Sequence, residues 1–110
     1  MDKISIEDFK KVDLRCGTIV EASINVGAKK PAYKMKIDFG SLGYKWTSAQ
    51  ITNVYSSKDL IGKQVIAVVN FKPIKIAEVN SEVLVLGLDS DDGVILLTTD
   101  KFVNNGYKVY

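Results

Sequence analysis

Two lysines flank a proline in the segment Lys72-Pro73-Ile74-Lys75, which follows a run of apolar residues. Proline cannot donate a hydrogen bond to a sheet and its φ angle is fixed, so we predict a stiff loop from which both lysines project. A stiff loop loses little conformational entropy when it binds a ligand. The segment is therefore a candidate site for an anionic polymer.

Polar side chains flank this loop at Asn70, Asn80 and Ser81. Their amide and hydroxyl groups both donate and accept hydrogen bonds, which suits sugar hydroxyls, base edges and phosphate oxygens. The alternative is a polar turn in which asparagine and serine satisfy nearby backbone groups. The residues alone leave both interpretations open.

A second group of lysines is predicted on one face of a sheet. The strand that contains Lys34 and Lys36 alternates apolar and polar residues, so these two side chains share its polar face. Lys29 and Lys30 precede that strand, and Lys45 is expected across a hairpin from it. Such a cluster can bind phosphate groups, or it can simply keep an exposed strand solvated.

Charge is distributed unevenly along the chain. Residues 1–75 contain thirteen Lys/Arg and seven Asp/Glu, a net charge of +6, whereas residues 76–110 contain two lysines and six acids, a net charge of −4. This asymmetry favours a basic face that meets an anionic partner, although an uneven solvated surface would show the same pattern.

The composition argues against catalysis. The absence of histidine excludes Ser-His and Cys-His catalysis and histidine metal sites, and the single cysteine, Cys16, excludes an intrachain disulfide. We therefore expect no enzymatic activity, no cofactor and no metal, and we expect Cys16 to pack as a small apolar residue. The N-terminus lacks the apolar core of a secretory signal, and no apolar run approaches the roughly 20 residues of a membrane helix, so we expect a cytoplasmic protein without membrane insertion.

Aromatic side chains offer surfaces on which bases can stack. In so small a β protein most of them are expected in the core, so at most one or two are expected to contact a ligand. The candidates are Tyr33, Tyr44, Trp46, Tyr55 and Phe71.

Alternation and turn residues predict a single, mostly β domain over residues 1–110. A short helix is predicted after Ser5, whose side chain can cap it, and a helix or coil is predicted over residues 53–60. The main strands are predicted at residues 14–22, with a bulge or bend at Gly17, and at 33–39, 44–51, 64–70 and 82–88. Residues 94–98 are expected to pair back as a hairpin, and 107–110 to form a last short strand. This order fits a five-stranded OB-fold Greek-key barrel, and an SH3-like barrel or a small sandwich fits almost as well.

Some apolar residues exceed what one small barrel can bury. Exposed apolar patches usually mark a partner, for which a symmetric homodimer is the commonest solution and an unfolded peptide the rarer one. The residues concerned are Ile74, Ile76 and Val79, then residues 94–97, then Phe102 and Val103.

Several motifs, in order along the chain, resemble the tRNA-binding domain family. They are DFKKVDLRCGTIVEA, KPAYKMKIDFG, SAQIT, LIGKQVIAVVNFKPIKIA and NSEVLVLG. That family is built on an OB barrel and includes the C-terminal extension of methionyl-tRNA synthetases. The steps Pro31-Ala32-Tyr33, SAQIT and SEVLVLG differ from the synthetase-type members and are similar to the bacterial CsaA branch.

The resemblance implies a cytoplasmic, non-catalytic homodimer that binds tRNA or other structured RNA and that acts as a chaperone related to protein export. It implies that the C-terminal hairpin extension, about residues 89–110, contributes to the dimer. A chaperone that mainly binds unfolded preprotein, with RNA binding incidental, is the alternative. Carried over by position, the RNA-facing residues are Lys34, Lys36, Ser48, Gln50, Asn70, Lys72, Lys75, Ser81 and Glu82.

Overall fold

Nine strands, two short α-helices and one turn of 3-10 helix at Gly40–Leu42 make up the computed structural model, which describes residues 1–110. The helices are α1 (Ile6–Lys10) and α2 (Ser57–Leu60). The strands are β1 (Leu14–Ile24), β2 (Tyr33–Asp38), β3 (Tyr44–Ala49), β4 (Gln64–Val68), β5 (Ile74–Ile76), β6 (Val79–Ser81), β7 (Leu84–Val85), β8 (Gly87–Ser90) and β9 (Gly93–Leu96). Five of them form one antiparallel sheet in the order β3-β2-β1-β4-β7.

The long strand β1 bends this sheet into a barrel. Its first half pairs with β4, its second half pairs with β2, and a bulge between Ile19 and Glu21 separates the two halves. The remaining gap lies between β3 and the segment before β7, where Glu82 N donates to Trp46 O at 2.9 Å and Thr47 Oγ1 donates to Val83 O at 2.8 Å. The result is a nearly closed five-stranded barrel of the OB type, which confirms that prediction over the SH3-like and sandwich alternatives.

The barrel interior is filled by the apolar positions of alternating strands. Met35, Ile37 and Phe39 have no exposed surface, as the period of two in this stretch predicts. Gly17 lies opposite them, and a Cβ atom there would stand 2.7 Å from both Ile37 Cγ2 and Phe39 Cδ1. The prediction of a bulge at Gly17 was wrong. This glycine instead allows the strand to pack closely against Ile37 and Phe39, and the bulge begins two residues later, at Ile19. Cys16 is buried as expected, and burial raises the pKa of its thiol.

Both helices begin with the capping residues that the sequence contains. Ser5 accepts a hydrogen bond from Asp8 N and Asp8 caps Ser5 N in return, so α1 begins where it was predicted. Ser56 and Asp59 form the same reciprocal pair at α2, which settles the choice between helix and coil for that segment. No helix in the structure combines the length and the hydropathy that crossing a bilayer requires.

The second half of the chain differs from its prediction in several places. The fourth strand stops at Val68, and the strand predicted over residues 82–88 is divided into β7 and β8. Pro73 ends a loop, as expected, but Lys75 does not lie in it, because β5 and β6 pair as a hairpin across a turn at Ala77 and Glu78. Ala77 adopts a φ angle of 53°, a left-handed conformation that is uncommon for alanine and that the sequence does not indicate.

The C-terminal segment, residues 98–110, runs back along the free edge of β1. Cys16 N donates to Tyr107 O at 3.0 Å and Val109 N donates to Leu14 O at 2.9 Å, but only Lys108 forms a bridge, so the predicted last strand is reduced to one pair. Arg15 donates to Asp13 Oδ1 at 2.6 Å and to the Gly106 carbonyl at 3.0 Å, and its hydrogen bond holds the pKa of Asp13 below its ordinary value.

Candidate nucleic-acid interface

The β5–β6 hairpin stands beside β3, and three adjoining cavities open along it, which together we call the hairpin groove. The Trp46 cavity, about 440 Å³, is lined by Lys34, Trp46, Glu78, Val79, Asn80 and Glu82. The Phe71 cavity, about 570 Å³, shares Glu82 with it and includes Phe71, Lys72, Ile74 and Leu84. The lysine cavity, about 480 Å³, shares Ser48 and Ile76 with the Phe71 cavity and includes Lys29, Lys30, Gln50 and Lys75.

The face of β3 that lines the groove is set by the alternation of the strand. Thr47 is turned into the barrel, where its hydroxyl donates to Val83 O, so Trp46 and Ser48 point to the opposite face. The register with β2 places Lys34 opposite Ser48 and Lys36 opposite Trp46. Basic, aromatic and hydroxyl side chains therefore come from two neighbouring strands of one sheet face.

Asn25 holds the hairpin against the barrel. Its side chain is 3% exposed, and Nδ2 donates to Ser48 Oγ at 2.9 Å and to Ile76 O at 3.1 Å. Its backbone N donates to Ala32 O at 2.9 Å, so one residue connects the loop before β2 to β3 and β5. Sequence reasoning missed Asn25, because its partners lie 23 and 51 residues away and nothing local indicates them.

The predicted lysines are brought together with two exceptions. Lys34, Lys72 and Lys75 line the three cavities, and none of them forms an ion pair within the chain. Lys36 lies on the same sheet face but outside the groove, where it pairs with Glu21 at 3.5 Å and covers the ring of Tyr44. Lys45 is across the hairpin from β2, as expected, but it pairs with Ile37 and so belongs to the other face.

The predicted polar residues also divide into two groups. Ser48, Gln50, Ser81 and Glu82 line the groove, and the Ser81 hydroxyl accepts from Ser48 N at 3.3 Å. Asn70 lies outside it, because its amide accepts from Asp13 N at 3.0 Å and donates to the carbonyl of Lys11 at 2.8 Å. The side chain of Asn70 thus connects the end of β4 to the chain before β1.

Two of the five aromatic candidates line the groove, namely Trp46 and Phe71. Tyr33 is buried and its hydroxyl donates to Tyr55 O, and the Tyr55 hydroxyl in turn accepts from Leu96 N. Tyr44 is exposed but sits under Lys36. The sequence did not distinguish Trp46 from the core aromatics, and the inward position of the neighbouring Thr47 in the structure is what places Trp46 on the outer face.

A family model described as "Putative tRNA binding domain" matches residues 14–108. The chain therefore belongs to the tRNA binding domain family. A methionine–tRNA ligase of Methanocaldococcus jannaschii is 39% identical over 110 residues, which are 99% of this chain and 17% of the ligase. The chain thus spans less than one fifth of the length of the curated relatives that it matches.

Two solved structures of CsaA chaperones are similar to this chain over nearly its whole length. The crystal structure of a CsaA chaperone protein from Picrophilus torridus is 53% identical, with a TM-score of 0.93 over 98% of this chain and 100% of that one. The chaperone CsaA from Bacillus anthracis is 45% identical, with a TM-score of 0.92 over 99% of this chain and 100% of that one. The resemblance to the CsaA branch and the OB-type fold are confirmed.

Proposed function

We propose that this protein binds structured RNA, and tRNA in particular, along the hairpin groove, and that it does so without catalysing a reaction. The observation that carries the proposal is that Lys34, Lys72 and Lys75, distant in sequence, line adjoining cavities with unpaired ammonium groups. Phosphate contacts of this kind supply affinity and orientation. The family to which the chain belongs supports the same ligand.

The remaining groove residues suit an RNA that presents unpaired bases. Trp46 and Phe71 offer rings for stacking, and the hydroxyls and amides of Ser48, Gln50 and Ser81 reach ribose and base edges. Lys36, already paired with Glu21, is expected to contribute a weaker phosphate contact, and Asn70 is expected to act by holding β4 in place. A tRNA ligand would place the protein in the cytoplasm.

A salt titration of tRNA binding tests the proposal. We expect the logarithm of the binding constant to fall linearly with the logarithm of salt concentration, with a slope of about −3 for about four neutralised phosphates, using the single-strand factor. Binding of tRNA to the purified protein is measured by fluorescence anisotropy at several salt concentrations. A binding constant that does not change across the series would show that phosphate contacts do not contribute to binding, and it would contradict the proposal.

An export-related chaperone role is the second candidate, and the Phe71 cavity is the observation that favours it. Phe71, Ile74 and Leu84 are 55%, 65% and 50% exposed there, which is apolar surface that an extended peptide can cover. Both of the similar CsaA proteins are named as chaperones. An unfolded preprotein should bind with little salt dependence and should displace labelled tRNA if the two share the groove, whereas no binding at either salt extreme would eliminate this role.

We infer that the protein is a homodimer to which residues 89–110 contribute. Phe102 is 76% exposed and Ile95 is also exposed in this part of the chain. Sedimentation velocity should give the mass of a dimer, and Phe102→Ser should weaken the dimer about tenfold if this side chain is a central contact. Monomers at every concentration would contradict the inference.

A further apolar cleft, about 410 Å³, is lined by Ile6, Phe9, Val12 and Val109.

A further inference from the structure

The Trp46 cavity contains carboxylates, which a site built only for phosphate would exclude. Glu78 and Glu82 both line it, together with Lys34 and the indole of Trp46. Two carboxylates repel a phosphate group, so the phosphate contacts are expected mainly from the lysines of the other two cavities, and above all from the lysine cavity, which no acidic residue lines. The Trp46 cavity therefore calls for a ligand group that donates hydrogen bonds and also presents a flat face.

One of these carboxylates is held in a fixed orientation. Glu82 Oε2 accepts a hydrogen bond from Trp46 N at 2.9 Å, while Glu82 N donates to Trp46 O at 2.9 Å. Two contacts thus tie Glu82 to the strand that carries the indole. Its other oxygen, Oε1, accepts no hydrogen bond from the chain, and neither Glu82 nor Lys34 takes part in an ion pair. An oriented acceptor and a free ammonium group both remain for a ligand.

We propose that the Trp46 cavity selects an unpaired guanine in the bound RNA, an inference that rests on the proposed RNA binding. Guanine alone presents two adjacent donors, N1–H and N2–H₂, on its Watson–Crick edge, and these match the acceptor oxygens of Glu82. Its opposite edge presents the acceptors O6 and N7, for which a lysine such as Lys34 is a good donor. The indole of Trp46 supplies the stacking surface.

The other three bases mismatch the carboxylate. Adenine and cytosine each place a ring-nitrogen acceptor beside their amino group, and uracil places a carbonyl oxygen on either side of its single N–H. Each would bring a lone pair towards the carboxylate, and such repulsion is a common source of specificity. The cavity, at about 440 Å³, accepts a purine, so size does not exclude adenine and the hydrogen bonds must do so.

Trp46 is the only tryptophan in the chain, so its fluorescence reports on this cavity directly. Titrations with the 5′-monophosphates of guanosine, adenosine, cytidine and uridine are compared by their midpoints, because the bases differ in how deeply they quench. We expect the guanosine midpoint at a concentration about tenfold or more below the others. Inosine monophosphate, which lacks the N2 amino group, should fall between guanosine and adenosine. Equal midpoints for all four nucleotides would overturn the proposal.

A pair of matched variants separates hydrogen bonding from charge. Glu82→Gln keeps an oxygen to accept from Trp46 N but presents an amide donor to the base, so guanosine monophosphate should weaken about tenfold while adenosine monophosphate does not weaken. Glu78→Gln removes the same charge from the same cavity, and it should shift all four midpoints alike. An unchanged guanosine-to-adenosine ratio in Glu82→Gln would overturn the proposal.

These outcomes can be distinguished from failure of the proposed function. If tRNA binds with the expected salt dependence but the nucleotides show no ranking, only the guanine inference fails. If tRNA does not bind, the proposed function fails, whatever the nucleotide midpoints are.

Discussion

Replacing Lys72 and Lys75 together by alanine is expected to weaken tRNA binding about 25-fold at about 0.1 M salt, because each lost phosphate contact removes about 0.7 of a released counterion. Lys72 lines the Phe71 cavity and Lys75 lines the lysine cavity, and the two cavities share Ser48. Neither ammonium group is paired within the chain, so each is available to a phosphate. The slope of the salt dependence should become shallower by about 1.4, which is half of its wild-type value. Anisotropy titrations of labelled tRNA over a salt series measure both quantities.

A control with the same change of net charge is provided by Lys3→Ala combined with Lys58→Ala. Lys3 precedes α1 and Lys58 lies in α2, and both side chains are exposed and line none of the three cavities. This double variant should keep the wild-type slope. If the two double variants weakened binding equally, the effect would come from overall charge and the hairpin groove would not be the site.

The barrel was predictable from the sequence wherever one strand face is buried. Strict alternation in β2 indicated which side chains enter the core, and the same alternation put Lys34 and Lys36 on the outer face. The sequence left the faces of β3 open, and the register with β2 in the structure is what places Trp46 and Ser48 beside these lysines. A period of two fixes the face of every residue in a strand once one is known, so the placement of Lys34 and Lys36 follows from local sequence.

The β5–β6 hairpin was not predictable in this way. Its strands have three residues each, two of its three apolar strand residues, Ile74 and Ile76, stay exposed while Val79 is buried, and its turn contains neither glycine nor asparagine. Ala77 takes a positive φ angle there, which sequence rules assign to other residue types. The hairpin depends on Asn25, whose contact with Ile76 O spans 51 residues. Local sequence patterns therefore do not indicate the hairpin.

Exchanging Gln64 for leucine is expected to lower the free energy of unfolding by about 3 kcal/mol, because buried polar groups lose their partner. The Gln64 side chain is 7% exposed and lies at the start of β4. Its Nε2 donates to Val103 O at 2.7 Å, and its Oε1 accepts from Val103 N at 3.1 Å and from Thr99 Oγ1 at 3.0 Å. Leucine has a similar volume but satisfies none of these groups, and urea denaturation measures the loss.

The same substitution should loosen the C-terminal segment before the barrel unfolds. Gln64 is the side chain that connects both backbone groups of Val103 to the barrel, so without it residues 98–110 open more often and trypsin should cleave after the exposed Lys101 sooner. Gln50→Leu makes the same chemical change at an exposed position, where the cost should stay within about 0.5 kcal/mol. Equal urea midpoints and equal cleavage rates for Gln64→Leu and the wild type would show that the backbone bonds to β1 and the other side-chain contacts, such as that of Arg15 with Gly106, hold the segment without Gln64.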